Sequence, residues 1–272
     1  MKEKLKKIYR KIRGIYRKIY YYGNKYKCNI CSSKVRLMKP HGIKHEIFEK
    51  NTIIEAGYRE NCTCPVCKSK DRIRMVYYYL EKYTNVFVGK NCILHFAPEF
   101  PIKQKIKKNK YAEYYDGDIQ KGRATYVVDI TDIQFPDNKF DYIICNQVLE
   151  HIPDEKKAIN ELKRVIKPNG KIIITVPICV SNEKTFEDPN ITDSKERLAN
   201  FCQEDHVRLY GRDFKKRLEK FGFEVEEWRV DEHVIEQVIE EYSFSKGGLI
   251  YIATKKSWNL TKSHKNSPIF YK

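Results

Sequence analysis

The chain has 272 residues, of which 41% are hydrophobic, and a formal net charge of +17. This length accommodates one full α/β domain and a small additional module. The sequence has no run of about 18 uncharged apolar residues, so it predicts no transmembrane helix. The basic N-terminus lacks the apolar core of a signal peptide, so we expect a cytoplasmic protein with mostly reduced cysteines.

The N-terminal 27 residues predict a basic amphipathic helix. They hold 11 Lys and Arg and one Glu, a net charge of +10, which leaves +7 for the other 245 residues. Within residues 1–22, apolar side chains recur at helical spacing and basic side chains occupy most of the other face. Such a helix docks on an anionic membrane surface, here the inner face of the membrane, or packs against its own domain. Nucleic acid or a partner protein is a further alternative.

Residues 28–70 form a predicted cysteine module. Its two Cys-x-x-Cys pairs are Cys28, Cys31, Cys64 and Cys67. Two such pairs let four thiolates converge tetrahedrally on a zinc ion, each about 2.3 Å from the metal. Four thiolates leave no open coordination position, so we expect a structural zinc site. Cys62 is an alternative ligand, and four unmetallated thiols in a β-rich cap are the alternative to zinc.

From residue 71 onward, apolar runs alternate with helical periodicity. Strands are predicted at 91–96, 111–115, 125–129, 140–145, 171–176, 223–230 and 249–254. Helices are predicted at 71–83, 102–108, near 195–202, at 212–221 and 232–241, and between the fourth and fifth strands. Near-continuous Val and Ile runs separated by helices predict a parallel sheet that is covered on both faces. Residues 178–210 otherwise show no clear sheet element, and a connection of this length suggests a segment that covers the substrate.

The order of these elements resembles the class I S-adenosylmethionine (SAM) methyltransferase fold over roughly residues 88–255. The residues that carry the resemblance are Asp129-Ile130-Thr131-Asp132, Phe135-Pro136-Asp137-Asn138-Lys139-Phe140-Asp141, Val148-Leu149-Glu150-His151 and the segment 162–170. The implied fold class is α/β: a Rossmann-like seven-stranded domain at 71–255, preceded by a small zinc-binding module and a basic helix. Residues 256–272 are read as a polar C-terminal tail.

The first loop departs from that family. The family's glycine-rich turn is replaced by Leu94-His95-Phe96-Ala97-Pro98-Glu99, in which Ala97 is the smallest substitute for glycine. This motif, with two preceding Cys-x-x-Cys pairs, resembles a bacterial subfamily whose members resemble methyltransferases of surface-glycan synthesis. The segments 64–72 and 206–214 also look like that subfamily.

The resemblance implies a cofactor site at the carboxyl ends of the strands, where ligands of such sheets bind. The implied cofactor-binding residues are His95, Ala97, Glu99, Asp118, Asp129, Ile130, Asn146 and Gln147. Asp118 is the candidate for the ribose diol, with Asp116 as the alternative, because a carboxylate accepts two hydrogen bonds. Asp129 and the Ile130 backbone are the candidates for adenine. The alternative for each Asp is a helix cap or a turn.

Methyl transfer from a sulfonium requires the nucleophile to be positioned and, for a hydroxyl, a base. His151 and His206 are the candidate bases because histidine titrates near neutral pH, and Glu150 is placed to orient one of them. For His151, a helix cap is the alternative. Arg208 and Tyr210 are the candidate substrate-binding residues. For Arg208, a surface ion pair with Glu204 or Asp205 is the alternative.

The sequence therefore predicts a SAM-dependent methyltransferase that acts on a small polar acceptor. By subfamily resemblance, the acceptor atom is a sugar hydroxyl or a phosphate-type oxygen of a capsule or surface-polysaccharide precursor. An RNA methyltransferase with a zinc module is the first alternative, and the absence of Asn/Asp-Pro-Pro-Tyr at 146–149 disfavours one class of these. The second alternative is a zinc-containing binding protein with a degenerate SAM fold, since the glycines are missing.

Overall fold

The computed structural model describes residues 2–256, and the side chains of residues 2–8, 10 and 11 lie outside this description. Of the predicted tail 256–272, only the first residue falls within the described range. None of the helices in residues 2–256 combines the length and the apolar character that crossing a bilayer requires.

A seven-stranded sheet forms the centre of the larger domain. Its strands, in chain order, are β1 Cys92–Phe96, β2 Glu113–Asp118, β3 Tyr126–Val127, β4 Phe140–Asn146, β5 Ile166–Thr175, β6 Phe223–Arg229 and β7 Leu249–Lys255. Their spatial order is β6-β7-β5-β4-β1-β2-β3. Strand β7 runs antiparallel to its neighbours β5 and β6, and the other pairs are parallel. This arrangement confirms the predicted α/β, Rossmann-like seven-stranded fold.

Helices cover both faces of the sheet because successive strand residues point to opposite sides. In β5, for example, Ile172 and Ile174 belong to one core and Ile173 to the other. The helices on the first face are Glu155–Val165 and Phe214–Glu219; those on the second are Asp71–Tyr83, Phe100–Ile106, Val230–His233 and Glu236–Tyr242. Each fully buried Leu or Ile in these layers contributes roughly 2 kcal/mol to folding. The sheet is therefore a rigid platform, and its strand ends are fixed in space.

The order of the strands reverses between β1 and β4, which are adjacent and parallel. From β1 the chain continues through β2 and β3 to one side, and from β4 it continues to β5 on the other. In open α/β sheets, the crevice at such a reversal lies outside the carboxyl ends of the strands and binds ligands. Residues that follow Phe96 and Asn146 therefore face the expected site.

The N-terminal helix is Lys2–Tyr20, and it is followed by a small β-rich module. In that module Tyr22–Lys27 pairs with Lys34–Val35, and Lys39–His41 pairs with Arg59–Thr63. A short helix, Glu46–Lys50, lies between the two members of the second pair. Since Tyr22–Lys27 is a strand of the module, the last part of the predicted helical segment 1–27 belongs to the module instead.

Two short ribbons occur where the sequence showed no sheet element, so that reading of residues 178–210 is wrong. Ile178–Cys179 pairs antiparallel with Ile53–Ile54 of the cysteine module, and Phe186–Glu187 pairs with Arg208–Leu209. Each partner is only two residues long, and a two-residue strand has no period to detect. The predicted helix near 195–202 is observed as Ser194–Phe201. The segment 178–210 is thus held at its start by pairing with the cysteine module, and at its end by pairing with its own residues Phe186–Glu187.

Arg74 joins the cysteine module to residues 242 and 243 of the sheet domain. Its guanidinium is fully buried, with Nη1 donating to the carbonyl oxygens of Cys62 and Ser69 at 2.9 and 2.8 Å. Nε and Nη2 donate to the carbonyl oxygens of Tyr242 and Ser243 at 2.8 and 2.6 Å. Four carbonyl oxygens therefore depend on one buried side chain, and this holds the module against the sheet domain.

Candidate active site at the carboxyl end of the sheet

The turn after β1 is tight at Ala97. Its φ of +42° lies in the left-handed region, and its N–H donates to the Gly117 carbonyl oxygen at 2.9 Å. An L-residue costs about 1–2 kcal/mol in this region, whereas glycine occupies it freely. The backbone at this turn therefore adopts a conformation that suits glycine, and here alanine adopts it.

Three side chains predicted to bind the cofactor form one hydrogen-bonded chain at the strand reversal. His95 is fully buried at the end of β1, and its Nε2 lies 2.7 Å from Oε2 of Glu99. The other nitrogen, Nδ1, lies 3.0 Å from the Tyr114 hydroxyl. Asn146, at the end of β4, donates from Nδ2 to the second Glu99 oxygen at 3.1 Å. His95 thus positions Glu99, and Glu99 connects β1 to β4.

The two carboxylates proposed for the nucleoside lie at neighbouring strand ends. The Val128 N–H donates to the Asp118 carbonyl oxygen at 3.2 Å, so the residues that follow β2 and β3 are adjacent. Through Oδ1, Asp118 accepts a bond from the Gln120 N–H at 2.8 Å. Asp129 is exposed, and its Oδ1 accepts from the backbone and the hydroxyl of Thr131, both at 2.8 Å. Both therefore close turns, and their nucleoside roles remain predictions.

Asp116, the alternative ribose partner, is differently placed. Its carboxylate is buried and forms an ion pair with Lys103 of the helix that follows β1. This contact lowers the pKa of Asp116 against the opposing effect of burial, so the carboxylate is ionised and engaged. Oδ2 of Asp118, in contrast, has no hydrogen-bond partner among the described residues. These contacts favour Asp118 over Asp116 as the candidate for the ribose diol.

Gln147 connects the end of β4 to the cysteine module. It has a left-handed backbone, with φ of +54°. Its Oε1 accepts from Nη1 of Arg72 at 2.9 Å, and its Nε2 donates to Oε2 of Glu55 at 3.3 Å. Glu55 is almost fully buried, and burial raises the pKa of its carboxyl to about 8. At neutral pH this side chain is therefore largely a neutral acid beside the site.

A second group of side chains, which we call the Glu150 cluster, comprises Glu150, His151 and His206. One ligand atom from each lies within 4.8 Å of the others. The two imidazole rings meet edge to face, with centroids 4.7 Å apart and planes at 83°. Burial raises the pKa of Glu150 to about 8 and lowers the pKa of His206 to about 4. The structure thus brings both predicted bases together with the residue expected to orient one of them, while their catalytic roles remain predictions.

The two candidate substrate-binding residues are engaged by the protein. The buried Arg208 donates from Nη1 to the carbonyl oxygens of Leu149 and Ile152 at 2.9 and 2.6 Å, and from Nη2 to that of Pro153 at 3.0 Å. Its ion pair is with Glu187 at 2.9 Å, so the suggested surface partners Glu204 and Asp205 were the wrong ones.

Tyr210 is also engaged: it is fully buried, and its hydroxyl donates to Oε1 of Glu155 at 2.7 Å. The structure shows packing contacts for Arg208 and Tyr210, and substrate contact for either of them stays a prediction.

The four predicted zinc ligands converge. Cys28 Sγ lies 3.6 Å from Cys67 Sγ, and Cys31 Sγ lies 3.9 Å from Cys64 Sγ. Four sulfurs arranged tetrahedrally around zinc at about 2.3 Å would be about 3.8 Å apart, so the spacing fits the ion. Cys62, the suggested substitute, lies outside this group, and its thiol contacts Asp71 at 3.1 Å.

The backbone forms the same turn at both cysteine pairs. The Ser32 N–H donates to the Cys28 carbonyl oxygen at 2.8 Å, and the Lys68 N–H donates to that of Cys64 at 2.9 Å. Ser32 and Lys68 are both left-handed, with φ of +56° and +66°. Two equivalent turns that point four thiols at one another are the arrangement that a metal knuckle requires.

A cavity of about 1180 Å³ lies between the cysteine module and the segment 237–246. The aromatic residues that line it are Tyr26, Phe48, Tyr58 and Phe244. Glu55 and Ser181 also line it, together with side chains of both charges. The described residues around this cavity do not include the predicted cofactor-binding set, so it is a separate space beside the strand reversal, and Glu55 borders both.

Sequence reasoning missed Glu55, Arg72 and Arg74. The segment 64–72 was noted for its resemblance to a subfamily, and Arg72 closes it, so a role for Arg72 had a signal. Glu55 lies in an irregular stretch between two short strands and has a left-handed backbone, with φ of +65°. No periodicity or motif marks such a residue, and only the packing of the module on the sheet reveals its position.

Comparison with known proteins finds similarity to methyltransferases. The family described as methyltransferase domain matches residues 102–174. Phosphoethanolamine N-methyltransferase 2 from Caenorhabditis elegans is 38% identical over 50 residues, 18% of this chain and 11% of that protein. Demethylmenaquinone methyltransferase from Geobacillus sp. (strain WCH70) is 30% identical over 91 residues, 34% of this chain and 35% of that protein. The chain thus spans about a tenth to a third of the length of these relatives.

Among solved structures, the cyclase SpnF aligns with 67% of this chain and 81% of its own, with a TM-score of 0.49 and 16% identity. The family match lies within the domain built on β1–β7, from the helix Phe100–Ile106 to the end of β5. The matched segment and the strand order together support a class I SAM-dependent methyltransferase domain.

Proposed function

We propose that this chain is a SAM-dependent methyltransferase that transfers a methyl group to an oxygen of a small polar acceptor. The observation that carries the proposal is the strand order β6-β7-β5-β4-β1-β2-β3, with Glu99, Asp118 and Asn146 at the carboxyl ends of three of its strands. The family match to residues 102–174 supports the reaction class.

The residues at the strand reversal fit SAM. Ala97 turns the backbone sharply and leaves no side chain beyond Cβ at the place where the cofactor's amino-acid part would lie. Asp118 retains an oxygen for the ribose diol, and Asp129 with Ile130 is proposed for adenine. Bound SAM supplies a methyl group on a positively charged sulfur. The chain's own residues then hold the acceptor in line and exclude water.

We assign the acceptor to the cavity beside Glu55. Aromatic faces and hydrogen-bonding side chains line it, which suits a sugar or a phosphorylated sugar better than a purely apolar molecule. The names of the two relatives, which specify phosphoethanolamine and demethylmenaquinone, support a small molecule as the acceptor. A precursor of capsule or surface polysaccharide remains the proposed substrate class.

The acceptor hydroxyl is activated at the Glu150 cluster in this proposal. A hydroxyl oxygen attacks the methyl carbon only as its proton leaves, and His151 and His206 are the proposed acceptors of that proton. The cluster follows directly after β4, three residues beyond Gln147, which itself contacts Glu55 at the border of the cavity. The acceptor would therefore extend from the cavity past Gln147 to the cluster.

We propose a structural zinc ion at Cys28, Cys31, Cys64 and Cys67. The sulfur spacings and the two equivalent turns support it. Four adjacent thiolates would repel one another, so the cluster in that form requires a cation to neutralise it. The ion would fix the module that contributes Glu55 to the site.

We propose that the helix Lys2–Tyr20 contacts an anionic membrane surface. The large apolar side chains described on it are exposed: Tyr9, Ile12, Ile15, Tyr16, Ile19 and Tyr20 are each 50–72% accessible. Exposed apolar side chains on a helix that holds nine Lys and Arg and one Glu, a net charge of +8, are typical of interfacial helices. Cytoplasmic location with peripheral attachment follows from this proposal.

The proposal is tested by titrating the full chain with SAM in a calorimeter, then incubating it with methyl-labelled SAM and a panel of acceptors. Nucleotide sugars and sugar phosphates should become labelled, and ribosomal RNA should not. Labelling of RNA alone, with binding that falls steeply as salt rises, would favour the RNA alternative. Absence of SAM binding at millimolar concentration would favour a binding protein with a degenerate fold.

A further inference from the structure

The Glu150 cluster is assembled from two segments that are locked together. Glu150 and His151 lie in the 3₁₀ turn Leu149–His151, directly after β4, and His206 lies between the helix Ser194–Phe201 and the strand Arg208–Leu209. The Val207 N–H donates to the Glu150 carbonyl oxygen at 2.9 Å, which joins the two segments. Arg208 binds the Leu149 carbonyl oxygen from the same side. The three side chains are therefore held in place before any ligand arrives.

Glu150 is an unpartnered buried carboxylate. Only 1% of the residue is exposed, and neither Oε1 nor Oε2 has a hydrogen-bond partner among the described residues. A buried polar group without a partner costs roughly 1–3 kcal/mol, and more if it is charged. Among the groups around it, Arg72 lowers the pKa of Glu150, and Glu55 and Asp205 raise it. Both oxygens of Glu150 therefore remain available to bind a ligand.

Both histidines have their Nδ1 atoms engaged. His206 Nδ1 lies 2.8 Å from the Phe201 carbonyl oxygen, which accepts its proton. His151 Nδ1 lies 3.3 Å from the Asp205 carbonyl oxygen and 3.3 Å from Oδ2 of Asp205. This leaves the lone pair on Nε2 of each ring. Metal-binding histidines are oriented in this way, with the other ring N–H donated to a carbonyl or carboxylate.

We propose that Glu150, His151 and His206 bind a divalent transition-metal ion. Two imidazole nitrogens and one carboxylate oxygen form the ligand set of some catalytic zinc sites and of other metal sites that keep open coordination positions. Three protein ligands leave coordination positions free for an oxygen of the acceptor, and an ion there lowers the pKa of that oxygen's proton. Metal binding itself does not depend on the proposed function. The role toward the acceptor rests on the proposed function. With the ion bound, both imidazoles would serve as ligands, and the proton of the acceptor hydroxyl would pass to water instead of to an imidazole.

The probe is Zn²⁺ alone, added to full-length protein that a chelator has stripped, with bound ions counted by native mass spectrometry and calorimetry. Wild-type chain should bind one ion more than Glu150→Gln and one more than His151→Gln. Affinity at the cluster should fall by more than the roughly 10- to 100-fold lost with an outer-shell partner. His41→Gln, which changes an exposed histidine outside the cluster, should bind as wild type does.

The proposal is overturned if either variant, folded by circular dichroism, binds as many ions as wild type. Should the buried Glu150→Gln fail to fold, His151→Gln decides, because His151 is partly exposed. SAM titration of the same proteins separates this proposal from the proposed function. Wild type that binds SAM but no ion at the cluster refutes the metal alone, and one that binds the ion but not SAM refutes the methyltransferase alone.

Discussion

Gln147 donates a hydrogen bond from Nε2 to Oε2 of Glu55 across 3.3 Å, and this contact links the carboxyl end of β4 to the cysteine module. The module therefore contributes a buried, titratable side chain to the edge of the candidate active site. Its contribution can be tested through the protonation of Glu55.

Glu55→Gln should make stability less dependent on pH. Burial is the main cause of the raised pKa of about 8; Asp71 and Glu99 also raise it, while Arg72 and Arg59 lower it. A carboxyl with a raised pKa stabilises the fold fully below its ordinary pKa, and loses that stabilisation as pH rises through about 8.

The free energy of unfolding of Glu55→Gln, relative to that of wild type, should therefore increase from about pH 5 to about pH 8, by up to about 1.4 kcal/mol per pH unit. Urea unfolding at a series of pH values measures the difference. A difference that stays constant with pH would show that Glu55 is ionised in the folded chain.

Ala97→Gly should leave the protein as stable as wild type or stabilise it by up to about 1 kcal/mol. Relief of the left-handed strain at Ala97 offsets the greater freedom that glycine gives the unfolded chain. The matched control is Ala158→Gly, in the buried face of the helix Glu155–Val165, which should lose about 1 kcal/mol or more. Thermal and urea unfolding decide the sign, and equal losses in both variants would remove the strain argument.

Asp118→Ala should weaken SAM binding about 10- to 100-fold, since a hydrogen bond to a charged group contributes about 1.5–3 kcal/mol. Folding should be nearly unaffected. Asp188→Ala is the control, because its Oδ1 also accepts a backbone N–H two residues later, from Asn190 at 2.9 Å. Calorimetry with SAM on both variants distinguishes the loss of a turn contact, which both variants share, from the loss of a cofactor contact, which only Asp118→Ala should show. Unchanged affinity in Asp118→Ala would mean that the ribose partner is another residue.

Cys64→Ser should release the bound metal and strongly destabilise the cysteine module, because metal binding and folding of such modules are coupled. Cys62→Ser is the control. The Cys62 thiol lies close to Cys64 in the sequence, but it contacts Asp71 and lies outside the group of four sulfurs. This variant should retain the metal and lose about 1 kcal/mol. Elemental analysis and thermal unfolding give the comparison. A wild-type protein that is stable and free of metal would contradict the zinc proposal.

Arg208→Lys should destabilise the chain by about 2–3 kcal/mol, because lysine cannot reproduce a buried guanidinium that serves three carbonyl oxygens and Glu187. The measurement is urea unfolding together with KM for the acceptor once it is identified. Full stability with a raised KM would restore Arg208 as a substrate-binding residue.

The central strands of the sheet could be predicted because they are apolar runs, and the longer helices because they have a clear 3.6-residue period. The helix Asp71–Tyr83 was predicted with the observed bounds, and Phe140–Asn146 with one residue fewer. The pairing of Ile53–Ile54 with Ile178–Cys179 could not be foreseen, since it joins two-residue strands about 125 positions apart. Glu150 was expected to orient one of the two histidines, but its approach to His206 depends on how residues 178–210 fold back, which no sequence pattern marks.

That pairing also constrains how such proteins diverge and how they can be engineered. A fragment beginning at residue 71 would lack Ile53–Ile54 and Glu55, and would leave Ile178–Cys179 as an open edge. A chimera that is designed to exchange the acceptor preference of two homologues should therefore succeed only when residues 28–70 and 178–210 are transferred together.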